Sequence, residues 1–311
     1  MSVEEPSVTF LCTAYRTEAT ICQTLDSVMA QTRDDWQLVV VDNGPSDTIV
    51  ALVEPYLADP RVTLVRQDNC FAWGGVNAAA RHAKGRYVAV LHTDDLVLPT
   101  FVERLVPLMD ADDDTAALAP DALFLNEAGV REETFRQPVP ARYKSGDPVG
   151  LRELIEGWVP YYTALVRRKA WEDIGGFRND IPTVEDLGLW LDLIARGYVL
   201  RTLDEPLAAY RENENSDSRG ARGIEVMEES WSRLMTEMVT AHGTDADRAA
   251  LETALGRSRH RAATVRARRL LLDGDYEGAQ AAARMARDER DDLRTRVLAG
   301  TMQLSPAGVR A

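Results

Sequence analysis

Over roughly its first hundred residues the chain alternates strand-length apolar runs with amphipathic segments, and this alternation limits the fold more than any other feature. The apolar runs at residues 8–14, 36–41, 62–65 and 87–91 predict four strands. The segments between them predict three helices, the first capped by Thr17 and the others over residues 49–57 and 76–83. The pattern is typical of an α/β protein with strand–helix–strand units around a mostly parallel, Rossmann-like sheet.

The overall composition describes an ordinary soluble protein of 311 residues, 45% of them hydrophobic and 28% charged. A formal net charge of -14 opposes general binding to nucleic acid phosphates, so we expect no nucleic acid partner. No apolar run is long enough to span a membrane, and the first residues lack a leader pattern, so we expect a cytoplasmic protein. Cys12, Cys22 and Cys70 lack the spacing of zinc ligands and are interpreted as reduced, structural thiols.

Two adjacent carboxylates, Asp94 and Asp95, directly follow the apolar run at residues 87–91. An ionised carboxylate is costly to bury without a partner, so this position favours a divalent cation or sugar hydroxyls as ligands. Ligands of such sheets bind beyond the carboxyl ends of the strands. We therefore expect one cleft to collect the polar residues that follow three strands: Thr13 and Tyr15, Asp42 and Asn43, and Asp94 and Asp95.

The second hundred residues carry a looser pattern. Residues 120–145 predict a hairpin or mobile loop, and residues 148–157 a helix. A strand at residues 161–166, a helix around residues 187–194 and two strands at residues 198–203 and 207–211 complete the first domain.

Beyond Asn213 the composition changes to helical segments rich in Ala, Arg, Glu and Leu, with no strand pattern. We place one domain at residues 1–217 and an all-helical carboxy-terminal segment at residues 218–311. Within that segment, residues 270–286 predict two helices broken at Gly274 and recapped by Asp275. We expect the carboxy-terminal segment to be a helical hairpin or a dimerisation region that forms a homodimer.

The order of the motifs resembles that of family-2 glycosyltransferases with a GT-A fold, over roughly residues 7–216. The resemblance is carried by the ordered set VTFLCTAYRTEATICQTLDSVMAQT, WQLVVVDNGPSD, RVTLVRQDNCFAWGGVNAAARHAKGRYVAVLHTDDLVLP, GGF and VEDLGLWLDLIARGY. It implies a glycosyltransferase that moves a sugar from a nucleoside-diphosphate sugar to an acceptor hydroxyl, with inversion and with Mg or Mn.

The same resemblance assigns the nucleoside of the donor to Thr13, Tyr15, Asp42 and Asn43. The alternative from the residues alone is that the first two end a strand and the others open a turn. Asp94 matches the ribose contact, and Asp95 matches the ligand of the metal that bridges the phosphates; a simple turn cap is the competing interpretation of this pair. Asn69, Gly75 and Asn77 belong to the segment that lines the donor site in relatives, although the glycine also suits a helix entry.

Asp186 matches the catalytic base of the family, with Glu185 as the reserve candidate. The competing interpretation is a capping box that begins at Thr183, in which Asp186 satisfies helix amides. Trp158, Tyr161 and Tyr162 are candidates for an acceptor platform or for a packed strand.

The chain departs from the family pattern at three positions. His92 stands where relatives often carry an acid, Asn43 replaces the second acid of the nucleobase pair, and Asn213 stands where a histidine often ligates the metal. Asn213 offers a carbonyl oxygen to the metal, and Arg211 offers a charge to phosphate. These departures keep a non-catalytic nucleotide-sugar-binding or scaffold relative open as an alternative.

A sugar-nucleotide nucleotidyltransferase is the other alternative, which the absence of glycine from TAYRTEAT disfavours. The acceptor classes left open are a glycan, a lipid carrier, a peptide and a small natural product.

Overall fold

The computed structural model describes residues 5–126, 129–134, 143–181, 183–212 and 220–289. The chain divides into two compact units. The first comprises Met1–Glu153, Trp158–Asn179 and Glu185–Glu212, and the second comprises Leu154–Gly157, Asp180–Val184 and Asn213–Ala311.

The first unit begins with four parallel strands in the order β3-β2-β1-β4. These strands are β1 Val8–Ala14, β2 Trp36–Asn43, β3 Val62–Gln67 and β4 Tyr87–His92. They are connected by α1 Ile21–Met29, by α2 Asp47–Val53 with a 3₁₀ helix at Glu54–Ala58, and by α3 Phe71–Ala80. The four predicted strands and the three helices are confirmed, although α2 and α3 begin two and five residues before their predicted starts. The predicted cap Thr17 is wrong, because α1 begins at Ile21 and Thr20 occupies its N-cap position.

The remaining strands extend the sheet from β4. The elements are β5 Leu96–Val97, α4 Phe101–Ala111, β6 Thr115–Asn126, β7 Gly129–Thr134, α5 Leu151–Ile155, β8 Leu165–Arg167, α6 Arg168–Ile174, α7 Glu185–Ala195 and β9 Val199–Arg211. Within the described residues the sheet has nine strands, ordered β3-β2-β1-β4-β8-β6-β9-β5, with β7 paired to β6. Antiparallel pairs flank β8, whereas β6 and β9 run parallel, so the sheet is mixed.

The core of this unit lies between the sheet and the helices that cross its faces. Phe10, Leu38 and Ala89 are fully buried from three neighbouring strands. Ile21 and Leu25 of α1 are equally buried, as the spacing along that helix predicts. This packing fixes the carboxyl ends of β1, β2 and β4 relative to one another, and the candidate site residues follow those ends.

Two predictions for the second part of the sheet are wrong in their boundaries. The strand expected at residues 161–166 is limited to β8, because Tyr161 and Tyr162 belong to a loop that contacts Asp95. The two strands expected at residues 198–203 and 207–211 form the single strand β9. Its register with β6 shifts around Pro206, which has no N–H to give to the ladder.

The second unit contains α8 Ala221–His242, α9 Asp245–Leu272 and α10 Tyr276–Glu289. The predicted break within residues 270–286 is confirmed. Gly274 has φ 82°, and Asp275 accepts a hydrogen bond from the N–H of Gly278 at 2.9 Å. No helix in the described part of the chain combines the length and the hydropathy that a membrane crossing requires.

Candidate active site

The turn that carries Asp94 and Asp95, called the acid turn below, is held by hydroxyl groups of the α1 segment. Thr20 donates to the carbonyl oxygen of Thr93 at 2.8 Å, and Thr24 donates to the carbonyl oxygen of Asp95 at 2.8 Å. The Thr93 hydroxyl donates to the carbonyl oxygen of Thr13 at 2.9 Å. Successive peptide groups of the turn are thereby tied to β1 and α1, so the main chain that presents the two acids is fixed.

Asp95 is buried, and its carboxylate is satisfied by the protein. Oδ1 accepts a hydrogen bond from the N–H of Arg211 at 2.7 Å. Oδ2 accepts one from the hydroxyl of Tyr161 at 2.9 Å and another from the hydroxyl of Tyr162. Burial, reinforced by the charge of Asp94, raises the pKa of Asp95 to about 7 against the opposing hydrogen bonds. Asp95 therefore acts as an internal anchor between the acid turn, the loop before β8 and the end of β9.

Asp94 differs from its neighbour because its side chain is partly exposed. Among the described residues its carboxylate has no hydrogen-bond or ion-pair partner, whereas its carbonyl oxygen accepts from Nε of Arg211 at 2.7 Å. The guanidinium of Arg211 also donates to Oε1 of Gln23 at 2.6 Å. Asp94 is thus the member of the pair whose oxygens are available to a ligand.

His92 lies directly beside this pair, with its ring centroid 4.5 Å from that of Tyr162. Burial lowers the pKa of His92, although the charge of Asp94 acts in the opposite direction. A neutral ring at a strand end is the state that this environment favours.

The nucleoside candidates lie at the ends of β1 and β2. Asp42 is buried and accepts hydrogen bonds from the N–H of Ser46 at 2.9 Å and from Nε of Arg66 at 3.0 Å. Tyr15 is 43% exposed, and a Cβ built on Gly44 would lie 3.0 Å from its ring. Tyr15 therefore packs over Gly44, and the guanidinium of Arg16 lies over its ring, 5.0 Å from the centroid.

Asn43 is committed to the main chain that enters α3. Its Nδ2 donates to the carbonyl oxygen of Phe71 at 2.8 Å, and its Oδ1 accepts from Nε2 of Gln67 at 2.8 Å and from the N–H of Cys70 at 3.2 Å. Asn69 lies in the same loop, is exposed, and accepts from the N–H of Phe71 at 2.8 Å. Of these two asparagines, Asn69 is the one with an exposed side chain.

Gly75 and Asn77 both connect α3 to neighbouring parts of the fold. A side chain at Gly75 would clash with Thr13, so the glycine allows α3 to lie directly on β1. The hydroxyl of Thr13 is buried and has no hydrogen-bond partner in the described structure. Asn77 donates to the carbonyl oxygen of Phe177 at 2.8 Å and accepts from its N–H at 2.9 Å, which links α3 to the GGF segment.

Asp186 is the second residue of α7 and is partly exposed. It accepts a hydrogen bond from the N–H of Leu187 at 2.8 Å, so it does satisfy a helix amide. The helix begins at Glu185, which places Asp186 one residue before the position that a capping box uses. Burial raises the pKa of Asp186 despite this bond. Glu185, also partly exposed, precedes it in the first turn.

The aromatic candidates for the acceptor are largely buried. Tyr161 and Tyr162 direct their hydroxyls to Asp95, and Trp158 packs against Tyr143 with ring centroids 4.2 Å apart. The guanidinium of Arg211, a candidate for phosphate, binds the acid turn and Gln23. Asn213, the second metal candidate, lies outside the described residues.

The residues of the acid turn fit a cation that is shared with a substrate. Among the described residues, no three His, Cys, Asp or Glu side chains form a group that would hold a metal alone. Mg²⁺ in transferases commonly binds one or two carboxylates together with substrate phosphates. The open carboxylate of Asp94 matches that requirement.

Several contributors to the site were not identified from the sequence. The hydroxyls of Thr20 and Thr24, the main chain of Arg211 and the two tyrosine hydroxyls all hold the acid turn. One sequence signal for this support was available, because polar residues recur at helical spacing beside the apolar face of α1: Thr20, Thr24, Ser27 and Gln31. All four side chains form hydrogen bonds with residues 93–102.

Solved structures with a similar fold are GT-A glycosyltransferases. S. aureus TarS 1–349 in complex with UDP-GlcNAc has a TM-score of 0.59 at 14% identity and covers 92% of each chain. The mannosyltransferase PcManGT from Pyrobaculum calidifontis, in complex with GDP-Man and Mn²⁺, has a TM-score of 0.59 at 18% identity. That match covers 97% of this chain and 85% of PcManGT. The fold is therefore GT-A, with a helical carboxy-terminal part.

Comparison of sequences gives the family. The model described as glycosyl transferase family 2 matches residues 9–174, more than half of the chain, and the chain belongs to this family of glycosyltransferases. EpsE of Bacillus subtilis (strain 168), a protein named as a glycosyltransferase, is 26% identical over 220 residues. The match covers 68% of this chain and 75% of EpsE. The predicted family and enzyme class are confirmed.

Proposed function

We propose that this glycosyltransferase moves a sugar from a nucleoside-diphosphate sugar to an acceptor hydroxyl by a single inverting displacement, with Mg²⁺ or Mn²⁺. The contrast between Asp94 and Asp95 carries the proposal. One carboxylate is enclosed by three protein donors, and the adjacent one remains open at the carboxyl end of β4.

A divalent cation at the acid turn would supply Lewis-acid stabilisation of the departing nucleoside diphosphate. We assign its protein ligand to Asp94 in place of Asp95, because the oxygens of Asp95 already accept three hydrogen bonds. Asp95 then contributes indirectly, by holding the turn in place. Tyr15 and Asn69 offer exposed side chains to the nucleoside, beside the buried carboxylate of Asp42.

Asp186 is proposed as the base that accepts the proton of the attacking hydroxyl. Its raised pKa makes it a stronger proton acceptor than an ordinary aspartate, which suits a general base. The hydrogen bond from the N–H of Leu187 engages Oδ1. We assign the acceptor hydroxyl to Oδ2. Glu185 remains the reserve candidate.

The donor class is supported by the fold relatives, since TarS was solved with UDP-GlcNAc and PcManGT with GDP-Man and Mn²⁺. A glycan, a lipid carrier, a peptide and a small natural product remain the acceptor classes. We place the enzyme in the cytoplasm and assign transfer to residues 1–217. The helical segment from residue 218 onward is proposed to contact the acceptor or to form a homodimer.

A transfer assay tests this proposal. The enzyme is incubated with UDP-hexoses, UDP-N-acetylhexosamines and GDP-mannose, with Mn²⁺ or EDTA, over a panel of the four acceptor classes. We expect metal-dependent release of one nucleoside diphosphate, and a product whose anomeric configuration by NMR is opposite to that of the donor. Retention of configuration, or transfer unaffected by EDTA, would contradict it.

A further inference from the structure

Phe71 is an exposed aromatic residue in an unusual backbone conformation. Its side chain is 72% exposed and its φ is 59°, in the left-handed region that bulky residues rarely adopt. Such a conformation costs free energy and persists only where the surroundings impose it. Folding therefore maintains a strained residue whose ring buries little apolar surface.

The surroundings impose this conformation through side chains on both sides of the residue. Asn69 accepts from the N–H of Phe71 at 2.8 Å, and Asn43 donates to its carbonyl oxygen at 2.8 Å. Asn43 is itself buried and held by Gln67. Two asparagines thus hold the main chain from which the exposed ring projects.

A second aromatic ring extends the exposed surface. Trp73 lies on the same turn of α3, with its ring 20° from parallel to that of Phe71 and the centroids 6.3 Å apart. The two rings therefore form a stacked pair, and the exposed ring of Phe71 offers an aromatic face on which a planar ring can stack.

The position of this surface connects it to the nucleoside end of the site. Asn69 lies beside Gly44, and Tyr15 packs on the same glycine, so the loop that carries Phe71 borders the partly exposed ring of Tyr15. The same loop is anchored on Asn43, next to Asp42. The loop that carries Phe71 therefore lies beside the nucleoside candidates.

We propose that Phe71, backed by Trp73, stacks on the nucleoside of the donor and contributes to donor affinity. The inference rests on the proposed use of a nucleoside-diphosphate sugar. It gives the strained main-chain conformation a role, because the backbone that presents the ring is held before the ligand arrives and need not be ordered on binding.

Titration calorimetry on the full chain with Mn²⁺ tests the inference, with UDP, GDP, dTDP, CDP and ADP as probes. Asn tolerates positive φ, so Phe71→Asn removes the ring while keeping the backbone conformation. We expect this variant to bind the preferred nucleotide about tenfold more weakly, the scale of one base–aromatic stack. We expect its melting temperature to be unchanged or higher. Phe71→Tyr should bind as wild type does, and Leu57→Asn, which changes another exposed apolar residue, should have no effect.

Equal affinity of Phe71→Asn and wild type for the nucleotide would overturn this inference alone. An acceptor KM raised at unchanged nucleotide affinity would overturn it in favour of an acceptor contact. If the wild-type enzyme binds none of the five nucleotides, the inference and the proposed function fail together.

Discussion

The main-chain N–H of Arg211 donates a 2.7 Å hydrogen bond to Oδ1 of Asp95, and its guanidinium binds the carbonyl oxygen of Asp94 at 2.7 Å. The last residue of β9 thereby holds both residues of the acid turn that follows β4. These bonds use the carboxylate of Asp95 but only the main chain of Asp94. The carboxylate of Asp94 therefore remains available to a ligand, whereas that of Asp95 does not.

Asp186→Asn is expected to lower kcat by about 100- to 10,000-fold, because the amide cannot accept the proton of the acceptor hydroxyl. Nucleotide affinity should be unchanged. The matched variant Glu185→Gln should retain most of the activity, as measured by nucleoside diphosphate release. If Glu185→Gln loses the activity and Asp186→Asn keeps it, the base is Glu185.

The same Asp186→Asn variant should also reveal a pH-dependent stability difference. Burial raises the pKa of Asp186 in the folded state above that in the unfolded chain, so its ionised form destabilises the fold. Ionisation of Asp186 therefore lowers the free energy of unfolding of the wild type by its full amount above the folded-state pKa. Below the unfolded-state pKa it has no effect. Urea unfolding should show a stabilising effect of the substitution at pH 8 that vanishes near pH 3. A stabilising effect that grows on acidification is incompatible with this sign.

Asn77→Ala should lower the free energy of unfolding by about 2 kcal/mol, because the N–H and carbonyl groups of Phe177 both lose their partner. Nucleotide affinity should stay at the wild-type value. Arg81→Ala, at an exposed position that follows the same helix, is the control. A loss of nucleotide affinity without loss of stability would instead support the donor contact that the family resemblance implied for Asn77.

Gly75→Ala should destabilise the protein by about 1–3 kcal/mol, because the added methyl group clashes with Thr13 and pushes α3 away from β1. Gly256→Ala in the interior of α9 is the matched control and should be neutral or stabilising, since a Cβ there meets no atom closer than 3.6 Å. Thermal unfolding of both variants measures the difference. An equal effect at the two glycines would remove the packing explanation for Gly75.

Local patterns in the sequence were sufficient to predict the parallel half of the fold. The apolar runs that became β1, β2 and β4 are continuous because both faces of these strands are buried. The position of the acid pair after β4 followed from the same pattern. Family resemblance then supplied the class of enzyme, which the comparisons confirm.

The family resemblance implied a ribose contact for Asp94 and a metal ligand for Asp95, but the different surroundings of the two carboxylates could not be predicted from local sequence patterns. Asp94 and Asp95 are identical in sequence terms, and their difference arises from Tyr161, Tyr162 and Arg211, which reach the turn through the tertiary fold. The same contacts explain why the expected strand at residues 161–166 is shorter than its apolar and aromatic pattern indicated. Asn43 and Asn77 likewise carry polar groups whose partners lie on other elements.

The most direct test of the account is the metal-dependent binding of nucleoside diphosphate by Asp94→Asn and Asp95→Asn. Thermal shift with and without Mn²⁺ identifies the nucleotide for the wild type, and calorimetry then measures both variants. We predict that Asp94→Asn keeps the wild-type melting temperature and loses the Mn²⁺-dependent affinity, whereas Asp95→Asn melts earlier and retains Mn²⁺ dependence while folded. Mn²⁺-dependent affinity that survives in Asp94→Asn and disappears in a well-folded Asp95→Asn would contradict the account.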